Sequence, residues 1–330
     1  MKAPMVQTAE TAETQAQAAL SPTHPVPLIL PDDETAFIEA PVRPIRRICR
    51  ALLSDPLTLF GVAVIVVIVL CALLAPLLAP QNPYDLGQLD IMANRLPPGS
   101  QSLSGGAYLL GTDDQGRDIL SAILYGLRTS LYVGVASAVI ALAAGAALGL
   151  VSAYLGGWVD TLIMRIVDIQ LSFPPILIAL ILLAILGQGV DKIIVALVVT
   201  QWAYYARTIR GSALIERRRS YVDAARCLAL PGWKITFQQI LPNCLSPLIV
   251  VATMRVAYAI SLEATLSFLG IGLPVTEPSL GLLIANGFRY LLSGQYWISV
   301  FPGLALLLLI VGINLIGDRL RDVLNPKFTS

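Results

Sequence analysis

Long apolar runs separated by short polar segments organise this chain. They fall at about residues 57–78, 130–154, 163–186, 193–209, 247–269 and 297–316. A helix needs about 20 consecutive apolar residues to cross ~30 Å of hydrocarbon, and the runs are of that order. A soluble domain would interrupt them every few residues to build a polar face. The pattern predicts an all-α, polytopic membrane protein with six transmembrane helices. The third run holds Pro174-Pro175, which should kink or begin its helix, because proline removes a backbone donor and clashes with the preceding turn. The second is crowded with Gly134, Gly145, Gly149 and intervening alanines. Small residues let helix backbones approach closely in lipid. That stripe can serve packing within the chain or contact with another subunit.

The polar segments orient the bundle. Arg43, Arg46, Arg47 and Arg50 precede the first run. Arg210, Arg217, Arg218, Arg219, Arg226 and Lys234 lie between the fourth and fifth, and Arg319, Arg321 and Lys327 follow the sixth. With six spans all three groups fall on one side. That side is cytoplasmic by the positive-inside rule, so both termini are expected inside. The outer side carries Arg95, Arg117, Lys192 and Arg289 spread over longer loops.

Composition narrows the class further. The 330 residues are 56% hydrophobic and 13% charged, against roughly a quarter charged in soluble domains. Net charge is +1, so nothing points to nucleic acid. Cys49, Cys71, Cys227 and Cys244 have no metal-binding spacing. No G-x-x-x-x-G-K-[ST] phosphate loop occurs, and His24 is the single histidine. ATP hydrolysis by that route, serine–histidine catalysis and zinc chemistry are all disfavoured. Residues 1–45, rich in Ala, Thr, Gln, Glu and Pro, read as a disordered cytoplasmic tail.

The segment 211–243 is the longest cytoplasmic loop, yet it is not loop-like. Ser220 and Asp223 stand in near-capping-box spacing. Helix-favouring residues then run from Tyr221 to Leu230, and Pro231-Gly232 stops them. A second short helix should run from Trp233 towards Ile240 and end before Pro242. Val222, Ala225 and Ala229 recur at helical spacing. The first helix can lie on the membrane surface or dock in a groove of a cytoplasmic partner.

The stretch DAARCLALPGWKITFQQILPN (223–243) resembles the cytoplasmic loop of permeases in binding-protein-dependent ABC importers. There the motif opens Glu-Ala-Ala, has Gly six residues after the Glu, and closes Ile-Leu-Pro. Here Asp223 and Ala229 replace the Glu and the Gly, while Ala224, Ala225 and Ile240-Leu241-Pro242 match. LGTDDQGRDILSAILYGLRTSL (110–131), MRIVDIQLSFPPILIALILLAILG (164–187), EATLSFLGIGLP (263–274) and FPGLALLLLIVGINLIGDRLRDVLNPK (301–327) resemble further segments of the peptide/nickel subfamily, in order. The match points to its C-type permease. It implies a core permease domain at 119–317 with a coupling loop at 211–243. Flanking this are a first transmembrane region at 46–80, an extracytoplasmic loop at 81–118 and a cytoplasmic tail at 318–330. It also implies a bacterial inner-membrane location and a homologous B-type permease partner. Two ATPases carrying ATP and Mg²⁺ and an extracytoplasmic substrate-binding protein complete the implied assembly, with no cofactor on this chain. By position Ser220, Asp223, Ala224, Ala225, Ala229 and Gly232 form the ATPase-coupling site. Ala229 takes a left-handed turn less easily than glycine, so Pro231-Gly232 is expected to supply the turn. Cargo stays open among dipeptides, oligopeptides, glutathione-like peptides and nickel complexes. Two further classes stay open: an ion-coupled secondary transporter, although no repeat relates the two halves, and a membrane-embedded enzyme, although the spans hold no clustered acids or histidines.

Two ionisable residues lie inside the fifth run, Arg255 and Glu263. Charge within a membrane usually faces protein or water. Eight residues place the two ~12 Å apart along a helix and roughly 80° apart around it. They are candidates for the translocation path. Pairing with a neighbouring helix or a backbone carbonyl is the alternative. Asp160, Arg165 and Asp168 at the start of the third run read as boundary charges, with Arg165 and Asp168 paired at i,i+3.

Overall fold

The architecture is almost wholly helical. The computed structural model describes residues 55–85, 87, 89, 91–101 and 107–324. The N-terminal tail expectation, with Arg43, Arg46, Arg47 and Arg50, lies outside the described residues, as does Lys327. Helix α1 (Pro56–Leu73) begins with Asp55 accepting from Thr58 N (3.0 Å) and Oγ (2.7 Å), with proline at the first turn. A short α2 (Ala75–Leu78) follows. The loop beyond carries a minimal antiparallel pair, β1 (Ser100–Gln101) and β2 (Ala107–Tyr108), with Ser100 opposite Tyr108.

Helix α3 (Ile119–Leu155) starts well before the expected residue 130. Asp118 caps it by accepting from Ser121 N at 2.8 Å, and Ile119, Ile123 and Leu127 are buried, so the early turns have both a start signal and a core to join. Its 37 residues extend about 56 Å, longer than the hydrocarbon layer. The single span expected at 163–186 is instead two helices, α4 (Gly157–Ser172) and α5 (Pro175–Leu186), bent by 91° at Phe173-Pro174. The residue before a proline avoids the α region, and Pro175 suits only the first turn of a new helix.

Helix α6 is Val190–Glu216, α7 is Ser220–Cys227 and α8 is Gly232–Ile235. Helix α8 does not end before Pro242. It passes through a π-helical turn, Thr236–Ile240, straight into α9 (Leu241–Phe268). The wider turn, with Leu241 N bonded to Thr236 O, accommodates a proline that has no N–H and crowds the preceding carbonyl. Helices α10 (Leu280–Phe288) and α11 (Trp297–Leu324) complete the chain.

Four of the described helical stretches are long and apolar enough to cross a membrane, namely α1, α3, continuous α8–α9 and α11; the bent α4–α5 pair makes up to five. The expected count of six needs α6 as well. That helix is long enough, but Asp191, Lys192, Arg207 and Arg210 reduce its apolar character. Its middle is the inner wall of the bundle, with Ile193, Leu197, Gln201, Tyr205 and Ile209 fully buried. A helix enclosed by protein is not required to present an apolar surface to lipid. The outer faces of α1 and α3 do so, exposing Leu57, Phe60, Val67, Val139 and Ile140.

Helices α3 and α6 share the largest interhelical contact. Its cause is the glycine stripe. A Cβ at Gly145 would lie 2.3 Å from Trp202 O, and one at Gly149 would lie 2.3 Å from Ala206 O. Gly134 likewise admits Ile260 of α9. At these three positions the small residues therefore serve packing within the chain.

Candidate functional site

The segment expected to form the coupling loop packs where α3, α6 and α9 meet. Helix α7 has Arg219 as its N-cap, and Ser220 is already its first helical residue. The capping box expected from Ser220 and Asp223 is not formed, because a hydroxyl inside the first turn cannot reach back as a cap. The helix is held by its neighbours instead. Tyr221 Oη donates to Glu216 at 2.7 Å and accepts from Asn243 Nδ2 at 3.0 Å. Val222 and Ala225 are buried in a core with Tyr205, Ile209, Ile235 and Cys244. Asp223, Ala224, Arg226, Cys227, Leu228 and Ala229 are exposed, and Asp223 pairs with Arg226 at 3.1 Å.

The turn after α7 lies at Ala229, not at Gly232. Ala229 adopts φ +53°. Its N–H donates to Arg226 O (2.9 Å) and that of Leu230 to Ala225 O (3.2 Å), the bonding of a Schellman cap. An alanine thus occupies a position that usually calls for glycine, and the reverse substitution is open to test. Gly232 is needed for a different reason. A Cβ there would meet the Tyr154 ring at 2.9 Å, so glycine lets α8 close on the end of α3. Around the segment the apolar side chains of Leu228, Trp233 and Phe237 stand more than half exposed.

Two ion pairs brace this end of the molecule. Asp160 on α4 receives Arg210 Nη2 of α6 at 2.6 Å, together with Ser152 Oγ of α3. Asp168 pairs with Arg207, not with the expected Arg165. The i,i+3 pairing loses because α4 lies along α6, which brings Arg207 and Arg210 within reach. Arg217 also donates to Ala153 O at the end of α3. The second pair is half-exposed and contributes little by itself; the first is more enclosed and joins three helices.

The two charged residues of α9 have different surroundings. Glu263 is fully buried and accepts from Ser130 Oγ of α3 (3.0 Å) and Ser267 Oγ (2.8 Å). It is turned into the helix packing of this chain. Arg255 is half-buried, its guanidinium 3.4 Å from the ring centroid of Tyr204 on α6 and 5.3 Å from that of Tyr258. Cation–π contact substitutes there for a carboxylate. The two residues do not come together.

The opposite end of the molecule is ordered by buried polar groups. Asp113, fully buried, folds its Oδ1 onto the N–H groups of Gln115 (2.8 Å) and Arg117 (2.9 Å). Arg117, almost fully buried, donates to Val275 O at 2.8 Å and so ties the loop before α3 to the loop after α9. Burial pushes the Asp113 carboxyl up to about 6, opposed by the two backbone bonds. The T-D-D-Q-G turn pattern was a usable signal for this fold-back. Among the described residues no group of three or more His, Cys, Asp or Glu is placed to hold a metal.

Residues 145–330 match the family described as binding-protein-dependent transport system inner membrane component, and residues 43–98 match the N-terminal TM domain of oligopeptide transport permease C. The chain is 37% identical over 294 residues to a dipeptide transport system permease protein of Haemophilus influenzae, covering 89% of this chain and 98% of that protein. It is 41% identical over 267 residues to a putative peptide transport system permease protein of Brucella suis, covering 81% and 86%. Among solved structures, the inward-facing methionine ABC transporter MetNI matches with a TM-score of 0.51 at 21% identity, over 62% of this chain and 96% of the matched chain. At that identity the likeness concerns the fold.

Proposed function

The chain belongs to the family of binding-protein-dependent transport system inner membrane components, and on that premise we propose that it forms half of the translocation pore of an ATP-driven importer of short peptides. Membership makes it a membrane-embedded permease that operates with a further permease, an ATPase and a substrate-binding protein. The two relatives named for dipeptide and peptide transport support peptide cargo. We infer further that the second permease is a homologous B-type chain and that two ATPases bind ATP and Mg²⁺ in the cytoplasm. Both termini lie on that side, in the bacterial inner membrane.

The observation that carries the coupling role is the two-sided character of α7. One face, Val222 and Ala225, is fixed in the core shared by α3, α6 and α9. The other, Asp223, Ala224, Leu228 and Ala229, is open to a partner. A displacement of α7 by an ATPase cleft therefore passes into α6 through Tyr205 and Ile209. It passes into α9 along the unbroken path from α8. The Asp160–Arg210 pair would carry the same motion into α4.

The test is co-purification of the assembled transporter with Ala224→Arg and Leu228→Arg. Both positions are exposed, so insertion and pairing with the second permease should persist while ATPase recovery and peptide uptake fall. Undiminished uptake in both variants would overturn the coupling role. Uptake by the purified single chain in liposomes, driven by an ion gradient, would overturn the importer reading itself.

A further inference from the structure

A cavity of about 820 Å³ opens towards the side of the bundle away from α7, between the last turns of α1, residues 128–136 of α3, the start of α6 and the loop after α9. Its size lies within the range of small-molecule sites, ~300–1,000 Å³. Arg128 of α3 lies 26 residues before Tyr154, or about 39 Å along the helix from the coupling end. Val69, Leu73 and Val135 give the cavity apolar walls. Arg128 and Glu277, of opposite charge, line it with Tyr84 and Thr129, whose hydroxyls meet at 3.3 Å.

The two charges are not paired with each other. Among the described residues neither forms an ion pair, and neither side chain makes a hydrogen bond, whereas Asp160, Asp168 and Asp223 are all paired. A cavity with apolar walls that holds one free cation and one free anion is complementary to a ligand with both charges. It suits poorly a ligand of one sign, for which one wall would be repulsive.

Resting on the reading of this chain as a peptide permease, we propose that this cavity is a transit site for zwitterionic short peptides. Glu277 receives the peptide α-ammonium and Arg128 its carboxylate, while the apolar walls face its side chains. Arg128 suits the role because a guanidinium can hold a carboxylate through two parallel hydrogen bonds. The site would select free peptide termini in the membrane itself, after delivery by the binding protein.

The test uses the complete transporter purified with its partner subunits. Binding of labelled dialanine is measured without the binding protein and compared with N-acetyl-dialanine and dialanine amide. The wild type should prefer dialanine to both. Arg128→Gln should abolish discrimination against the amide but retain that against the acetyl form, and Glu277→Gln should do the reverse. Each should lower dialanine binding and proteoliposome uptake by about tenfold or more, the loss expected for one charge-assisted hydrogen bond. Arg128→Lys and Glu277→Asp serve if the glutamine variants fail to assemble, with smaller losses of the same selectivity. Wild-type discrimination in assembled variants would overturn the proposal. So would full transport by Arg128→Lys where Arg128→Gln merely loses the partner permease, since the arginine would then be a subunit contact. If the wild-type complex imported no peptide, the underlying reading would fail; peptide import with unaltered variants would refute this site alone.

Discussion

Replacing Ala229 by glycine should tighten the turn that follows α7. At φ +53° the Cβ of Ala229 crowds the following carbonyl, which costs an L-residue about 1–2 kcal/mol. Glycine removes that strain but adds freedom to the unfolded chain, worth roughly 0.5–1 kcal/mol in the other direction. The difference is a net gain of about 0.5–1 kcal/mol, or roughly a two- to fivefold lower population of the locally opened segment. The reporters are the amides of Ala229 and Leu230, which donate to Arg226 and Ala225 and exchange only when the cap opens. Hydrogen exchange read by mass spectrometry on the full chain in nanodiscs should show slower exchange in Ala229→Gly. Ala224 lies within helix α7, so Ala224→Gly should instead speed exchange across that helix. Opposite signs for one substitution five residues apart would be hard to obtain from any general effect of glycine. Equal or faster exchange at 229 and 230 in Ala229→Gly would refute the argument.

Other consequences can be measured directly. Gly149→Ala places a Cβ 2.3 Å from Ala206 O, a backbone atom that cannot rotate away; it should cost about 1–3 kcal/mol and lower the thermal midpoint, and an unchanged midpoint would count against the packing account. Glu263→Ala leaves the Ser130 and Ser267 hydroxyls without their acceptor and should cost about 1–3 kcal/mol, with Glu263→Gln recovering most of it in the same melting assay. The raised pKa of Asp113 means that the folded loop binds its proton more tightly than the unfolded chain, so stability falls as pH rises from about 4 to about 6 and is flat above. Limited proteolysis of the loop before α3 should therefore slow when pH drops from 7 to 5, and Asp113→Asn should remove that dependence.

Several local signals were outweighed by tertiary context. Ser220 and Asp223 have the right spacing for a capping box, but Arg219 takes the cap position and α7 is held by Tyr221, Glu216 and Asn243. Pro242 reads as a stop, yet a π-helical turn carries the backbone through it, because α8 and α9 share one buried face through Ile235, Ile240 and Cys244. Arg165 and Asp168 are spaced to pair, but Arg207 reaches Asp168 from α6. At the cap and the ion pair a preference of about 1 kcal/mol met a packing arrangement involving many atoms, and at Pro242 the proline penalty of about 3 kcal/mol is relieved by the π-helical turn.

By itself the sequence determined that this is a helical membrane protein and where most of its helices run. Those properties are legible because an apolar run is contained in one contiguous stretch. Only the tertiary structure decided what the charged and small residues do. Asp160 and Arg210 are 50 positions apart in the chain, and Ser130 and Glu263 are 133 apart. Gly232 has its reason in Tyr154, and Arg128 and Glu277 share a cavity only because α3 runs past the loop after α9. Such pairings depend on the rotation and register of one helix against another. Those are set by the packing of whole surfaces, which no local pattern encodes.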